Sequence, residues 1–332
     1  MDASLPIAFA DVAAASSRIA GVVHRTRVTS SRQLDGRSGC WVYLACENEQ
    51  RTGSFKIRGA LNRLAQLSAD ERARGVVAAS SGNHAQGVAL AASVVGTAAT
   101  IFMPSDAPAA KISAALGYGA RVEFYDRELA LPADLVEDFA RRTGAVPVPA
   151  FDDPAIMAGQ GTVALELLAE TGPVDAVVVP LGGGGLLSGV ATVVKALQPR
   201  AKVFGIEPED GDDWVRSLAA GRPVLIDPPR TIADGARTRQ PGALTYRVVS
   251  RLVDGVATVT DDDLVEAVRF LGLRMKLVAE PTGALAVAAL LAGRVPVEPG
   301  SRVAAIVSGG NVDPEMYARL LTNDARAFAP GR

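Results

Sequence analysis

The chain is short of the residues that mark several common protein classes. It has two cysteines in 332 residues, Cys40 and Cys46, too few for a disulfide framework and wrongly spaced for zinc. A reducing, cytoplasmic setting is therefore expected. Its two histidines, His24 and His84, cannot build a histidine metal cluster. No Gly-x-Ser-x-Gly elbow accompanies them, which removes serine hydrolases of that kind. Lys and Arg number 34 against 36 Asp and Glu, a net charge of −2. With no basic stripe, neither nucleic acid nor an anionic membrane is an expected partner. The N-terminal stretch has no basic region ahead of its apolar residues, so no signal peptide is expected. One uncharged run, residues 85–105, is long enough to span a bilayer. Gly96-Thr97 splits it, however, into a small-residue helical part and a β-branched part. A buried helix feeding a buried strand is the better reading.

What is present is a long alternation. Apolar runs at 76–79, 98–103, 121–125, 174–180, 202–207 and 302–307 alternate with helical patterns at 83–95, 108–116, 132–143, 157–170, 185–197, 261–276 and 282–291. Continuous rather than alternating strand hydrophobicity belongs to strands buried on both faces. The pattern predicts an α/β fold of open, twisted, mostly parallel sheets with helices on both faces. The proline-rich stretch 144–154 reads as a crossover between domains. A small domain over 75–149 would then be inserted into a larger one made of 1–74 and 150–332. The Pro/Gly-rich region 221–242 reads as a long loop, and such loops in compact enzymes are often functional.

Four short constellations carry chemistry. Pro180-Leu-Gly-Gly-Gly-Gly-Leu-Leu-Ser-Gly189 follows a strand and opens a helix. Gly182, Gly183, Gly184 and Gly185 let backbone N–H groups converge on an anion, with a helix N-terminus behind them. A phosphate site is favoured over a tight turn with close helix packing, and no Gly-Lys-Ser/Thr follows to make it a nucleotide loop. Ser80-Ser81-Gly82-Asn83-His84 starts another helix and could bind a carboxylate, although simple N-capping explains it equally well. Lys56, between Phe55 and Ile57, could be a desolvated amine nucleophile, though a solvated surface lysine is the commoner case. Val307-Ser308-Gly-Gly-Asn311 ends the last strand, where open α/β sheets place ligands. Together the four imply one phosphate-bearing anionic ligand and an amine ready to react.

In order along the chain, Ser54-Phe-Lys-Ile-Arg-Gly-Ala60, Ser80-Ser-Gly-Asn-His84, Ala107-Pro…Lys111, Tyr118-Gly-Ala120, Gly159-Gln-Gly-Thr162, the glycine loop, Gly205-Ile-Glu-Pro208, Ala233-Asp-Gly235, Glu280-Pro281 and Ser308-Gly-Gly-Asn311 resemble the fold-type II pyridoxal-phosphate enzymes. Within them the likeness is to the threonine/serine dehydratase and serine racemase group, whose fold is tryptophan synthase β-like. The resemblance implies that Lys56 attaches pyridoxal 5'-phosphate and later serves as the base at Cα. It implies that Phe55 packs on the pyridine ring, Asn83 bonds the 3'-oxygen, Gly182 to Gly185 hold the phosphate and Ser308 faces the ring nitrogen. Ser80, Ser81, Gly82, Asn83 and His84 would bind the substrate carboxylate. Ser81 would stand on the face of Cα opposite the lysine, as a second proton donor.

The resemblance extends to a divalent ion, Mg2+ or Ca2+, on Glu207, Asp213 and the Gly211 carbonyl, an all-oxygen set suited to either metal. A solvated acidic loop at a helix start is the plainer alternative. The implied activity is β-elimination of a small β-hydroxy amino acid such as L-threonine or L-serine to a 2-oxo acid and ammonia. Racemisation of serine or another amino acid is the alternative, as is dehydration of 3-hydroxyaspartate or a bulkier hydroxy amino acid. Asp234 is the candidate to position or protonate the departing hydroxyl. Arg127 and Arg237 are the candidates to select a second carboxylate. A homodimer is usual in the group. The chain ends soon after Asn311, so a regulatory extension of the isoleucine-pathway kind is not expected.

Overall fold

Strands packed between two helical layers must be apolar on both sides, and β-strand geometry sends successive side chains to opposite faces. The computed structural model, which describes residues 4–107, 109–126 and 129–322 apart from the side chain of Ala110, has this arrangement at its centre. The strands are β1 (Val28–Ser30), β2 (Trp41–Cys46), β3 (Val76–Ala79), β4 (Ala99–Pro104) and β5 (Arg121–Tyr125), then β6 (Val146–Pro147), β7 (Ala176–Pro180), β8 (Lys202–Pro208), β9 (Gly255–Val259) and β10 (Arg302–Val307). They form a six-stranded sheet, β1-β2-β10-β7-β8-β9, and a four-stranded sheet, β5-β4-β3-β6. Only the β1–β2 pair is antiparallel.

Burial follows the two-residue period. Val303, Ala305 and Val307 of β10 join Ala176 and Val178 of β7 in one core. Ala304 and Ile306 join Val177 and Val179 in the core on the opposite face. Helix Pro281–Leu291, buried at every position but its last, covers the first face, and helix Gly185–Leu197 the second. The smaller sheet has its own core from Val76, Ala78, Ile101 and Met103 against Ala85, Val88 and Ala89. The uncharged run 85–105 lies in helix Asn83–Val95 and β4. Among the described residues no helix is long and apolar enough to cross a membrane.

The α/β class, the mostly parallel sheets and six strands are as expected; β1, β2, β6 and β9 were not read from the sequence. β6 is two residues within a proline-rich stretch, and β1 is a three-residue edge strand. The helix expected at 108–116 is Ala109–Gly117, and Pro108 lies outside the described residues. The helix expected at 261–276 is α-helical only over Asp261–Phe270. Leu271–Met275 widen into a π-turn that ends at Lys276, with φ of 60°.

Beneath Lys56 the chain buries a full charge. The Arg58 side chain has 0% exposure, as does Glu47. Arg58 Nε and Nη2 donate to the Glu47 carboxylate at 2.8 and 2.7 Å, and Nη1 and Nη2 to Glu166 at 2.8 and 2.7 Å. Nη1 also reaches Thr162 Oγ1, and Nη2 the His24 carbonyl. Burial alone would lower the guanidinium pKa, but the two carboxylates outweigh it and hold the group far above its ordinary value. The planar, five-donor fork of arginine makes this double bidentate contact, which lysine cannot. Removing one member leaves an uncompensated buried charge. Arg58→Met is therefore expected to cost about 3–5 kcal/mol in urea unfolding, and adding Glu47→Gln to recover part of it. A loss under about 1 kcal/mol would show that the network does not hold this region together.

Candidate active site

The functional side chains come from loops at the C-terminal ends of strands and from the turn after β2. Two main-chain bonds and one from the Asn311 side chain stitch that turn to the loop after β10. Phe55 N donates to Ser308 O at 3.2 Å, Gly310 N to Gly53 O at 2.9 Å, and Asn311 Nδ2 to Thr52 O at 2.7 Å. Lys56, first residue of helix Lys56–Leu64, and the buried Ser308 are thus fixed relative to each other. Lys56 Nζ donates to Ala150 O at 2.9 Å and lies 5.2 Å from the Phe55 ring centroid. Desolvation brings the amine down to about 8, against a smaller upward pull from Glu280. It is not a solvated surface lysine.

The Ser80–His84 loop leads from β3 into helix Asn83–Val95. The N-cap is Gly82, and no side chain caps the helix. Ser80 Oγ instead accepts from Gly82 N at 3.2 Å. The first-turn amides of such a helix have no intrahelical acceptors and suit an anion. Ser81 is half-buried. His84 is buried, and its Nε2 meets Val148 O at 2.9 Å. A carbonyl only accepts, so Nε2 carries the proton. Nδ1 is then a buried acceptor without a partner. Burial and the nearby Lys56 charge bring the imidazole down to about 3, so it is neutral at working pH.

Asn83 is oriented from both ends. Its Nδ2 donates to the Glu280 carboxyl, and its Oδ1 accepts from Asn311 Nδ2 at 2.8 Å. An amide nitrogen has two protons, so one donor remains. Glu280 is buried, and desolvation together with the Asp234 charge raises its pKa against the opposing pull of Asn83, Lys111 and Lys56. A Cβ on Gly309 would come within 2.2 Å of Glu280 Oε1 and 3.1 Å of Asn83 Nδ2. Only glycine lets these two groups meet there.

The glycine loop is closely packed on one side. Trp214 Nε1 donates to Gly182 O at 2.6 Å, and Thr245 Oγ1 to Gly183 O at 2.9 Å. In a planar trans peptide the N–H points opposite to the C=O. The Gly183 and Gly184 amides therefore point away from Trp214 and Thr245. A Cβ on Gly183 would strike the Phe151 ring at 2.1 Å, and one on Gly184, at φ of 91°, would strike Trp214 at 2.4 Å. Helix Gly185–Leu197 behind the loop also lacks a side-chain cap.

The two remaining predicted groups lie at the edges. Asp234 sits in the short turn Asp234–Ala236 and forms an ion pair with Lys111. Glu207 accepts from Trp214 N and Val215 N at 3.2 and 2.9 Å, and Asp213 lies near Thr238 Oγ1 at 3.4 Å. Burial raises Glu207 to about 9 and Asp213 to about 7. Among the described residues no group of three His, Cys, Asp or Glu could hold a metal. Any ion here would take two carboxylates, the Gly211 carbonyl and water. Trp214 is shared between this loop and the glycine loop. Arg237, a candidate for a second carboxylate, is tied to Thr231 O by Nε and Nη2 at 2.8 and 2.5 Å. Arg127 lies outside the described residues. Sequence reading assigned no role to Glu280, Asn311, Ala150, Phe151, Trp214 or Lys111. For Glu280 a signal existed: an acid before proline, opening a helix with no other charged residue.

The family model described as pyridoxal-phosphate dependent enzyme matches residues 19–309. The chain belongs to that family. It is 50% identical over 311 residues to an L-threo-3-hydroxyaspartate ammonia-lyase of a Pseudomonas species, covering 94% of this chain and 97% of the relative. It is 45% identical over 312 residues to a serine racemase of Schizosaccharomyces pombe, covering 94% and 96%. Maize serine racemase superposes with a TM-score of 0.91 at 37% identity, covering 97% of this chain and 98% of that one.

The residues present fit pyridoxal phosphate. There are Gly183 and Gly184 amides turned away from Trp214 and Thr245 to meet its phosphate, a desolvated amine for its aldehyde, a spare amide donor on Asn83, and a buried His84 Nδ1 without a partner. Attachment to Lys56 requires the neutral amine. Its rate, followed by visible absorbance after mixing apo-protein with pyridoxal phosphate, is expected to rise with pH to a midpoint near 8. A midpoint near the ordinary 10.5 would mean that the amine is not desolvated.

Proposed function

We propose that the protein is an ammonia-lyase that eliminates the β-hydroxyl of a small β-hydroxy amino acid, with L-threo-3-hydroxyaspartate as its substrate. It would release oxaloacetate and ammonia. The observation that carries the reading is the meeting of the desolvated Lys56 amine, the glycine loop and the uncharged Ser308 at the end of β10. Bound there, pyridoxal phosphate supplies an electron sink that lets the Cα proton leave. A hydroxyl opposite the ring nitrogen stabilises charge less deeply than a carboxylate would, which suits rapid loss of a β-substituent.

The chain's own residues divide the work. Lys56 holds the cofactor and takes the Cα proton. Phe55 packs on the ring, Asn83 donates its free N–H to the 3'-oxygen, and Gly182 to Gly185 hold the phosphate. The Ser80–His84 helix end binds the α-carboxylate. Ser81 faces the other side of Cα, where a proton donor would also permit racemisation; the similarity to a serine racemase supports that second activity. Residues 75–149 act as a small mobile domain over the larger one made of 1–74 and 150–332. Two buried free thiols, Cys40 and Cys46, support a reducing cytoplasm, and a homodimer completes the reading. Holoenzyme offered both enantiomers of serine, threonine and threo-3-hydroxyaspartate is expected to release ammonia and oxo acid fastest from the L-threo acid. No ammonia from any of them would sink the proposal.

A divalent ion, Mg2+ or Ca2+, on Glu207, Asp213 and the Gly211 carbonyl belongs to the same reading. Both carboxylates are 1% exposed, and no cationic side chain bonds either among the described residues. Hard oxygen donors of this kind suit these ions. Chelation is expected to lower the melting temperature, and an ion added at a hundredfold excess over its Kd to restore about 2.7 kcal/mol. Glu207→Gln should remove the response. A melting temperature indifferent to chelator and ion would exclude the site.

A further inference from the structure

We propose that Lys111 reads the second carboxylate of the substrate, and that Asp234 occupies the Lys111 ammonium until that carboxylate displaces it. The inference rests on the elimination reading above and deepens it. Lys111 stands on helix Ala109–Gly117, which belongs to the layer of the smaller sheet. Asp234 stands in the segment between helix Asp213–Ala220 and helix Ala243–Leu252, which belongs to the larger one. Their ion pair therefore crosses the cleft.

The pair is asymmetric. The Lys111 side chain is 14% exposed and that of Asp234 is 42% exposed. The cation has given up most of its water, whereas its partner keeps much of its own and can rotate outward. Ion pairs with a well-solvated member hold weakly. The backbone under Asp234 is pinned, because Gly235 N donates to Thr282 Oγ1 at 2.9 Å. The carboxylate can therefore leave without moving the turn.

Lys111 also lies on the reacting side of the cleft. The Glu280 carboxyl, bonded to Asn83, lies within electrostatic reach of Lys111, Asp234 and Lys56 together. A substrate with its α-carboxylate at the Ser80–His84 helix end and its amine toward Lys56 has its β-substituents left to meet the remaining wall. A second carboxylate there needs a cation. Of the two arginines named from the sequence, Arg127 lies outside the described residues and Arg237 is committed to a main-chain carbonyl, whereas the Lys111 partner is a carboxylate like the one it would receive. Serine and threonine, with neutral side chains, leave the Lys111–Asp234 pair in place. 3-Hydroxyaspartate replaces one carboxylate with another.

The test uses holoenzyme of the wild type, Lys111→Met, Lys111→Arg and Asp234→Asn, each checked for the visible absorption of bound cofactor. It compares kcat/KM for L-threo-3-hydroxyaspartate and L-serine. It also compares the calorimetric affinities of succinate and of butyrate, which lacks one carboxylate. Lys111→Met is expected to lower kcat/KM for the dicarboxylic substrate about ten- to a hundredfold, the worth of a charged hydrogen bond. L-Serine should change less than about threefold on the same scale. Succinate should weaken with butyrate unmoved, Lys111→Arg should recover part of the loss, and Asp234→Asn should tighten succinate severalfold. Equal losses on both substrates, or an unchanged preference for succinate over butyrate in Lys111→Met, would overturn the assignment. Wild-type enzyme inactive on both amino acids would defeat the elimination reading alone, and the succinate–butyrate comparison would still decide Lys111.

Discussion

The structure depends on a charge buried under the desolvated amine of Lys56. Arg58, two residues beyond Lys56, is shut from solvent and grips two carboxylates from different parts of the chain, Glu47 in the turn after β2 and Glu166 in helix Pro154–Thr171. Burying ions is costly, and a buried pair of this kind gains less in net stability than in the uniqueness of its geometry. Here that geometry sets the start of helix Lys56–Leu64 against the helix that begins beside the Ala150 carbonyl on which the Lys56 amine rests. With Lys56 so placed, main-chain bonds from residues 53–55 carry the register on to Ser308, and Asn311 carries it to Asn83. A rigid base of this kind holds the Lys56 amine in one place.

Much of this was legible in the sequence for a physical reason. Parallel strands buried on both faces leave unbroken apolar runs, so β3, β4, β7, β8 and β10 stood out, and the glycine-rich stretches punctuated their ends; the edge strand β5, with Arg121 and Glu123, was read from a weaker run. Short edge strands such as β1 have no such signature, and a two-residue strand like β6 has none at all. The close packing of the glycine loop could be read from its composition, as one of the two uses that composition allows. That its carbonyls are pulled outward by Trp214 and Thr245 could not be read, since both partners lie far along the chain.

Cross-chain contacts account for the other omissions. Arg237 looked free to select a carboxylate until the fold tied it to Thr231 O. Lys111 appeared only as part of a family pattern, and its meeting with Asp234 exists only once the two sheets are assembled. Glu280 is the instructive case. Its neighbours Asn83 and Gly309 come from two other loops, and the absence of a side chain at Gly309 is what makes room for it. Local composition reports what a segment can do, and tertiary contacts decide which of those capacities is used.

Trp214 has an optical consequence. The chain has two tryptophans. Trp41 is 59% exposed, while Trp214 is fully buried, stacked on Tyr246 and bonded to the Gly182 carbonyl. Their emissions should separate by polarity, red-shifted for the solvated indole and blue-shifted for the enclosed one. The enclosed indole touches the loop that would hold the phosphate, close enough to pass its excitation to a chromophore seated there. The protein thus carries its own emitter at the cradle, with the second tryptophan as an internal reference at the surface.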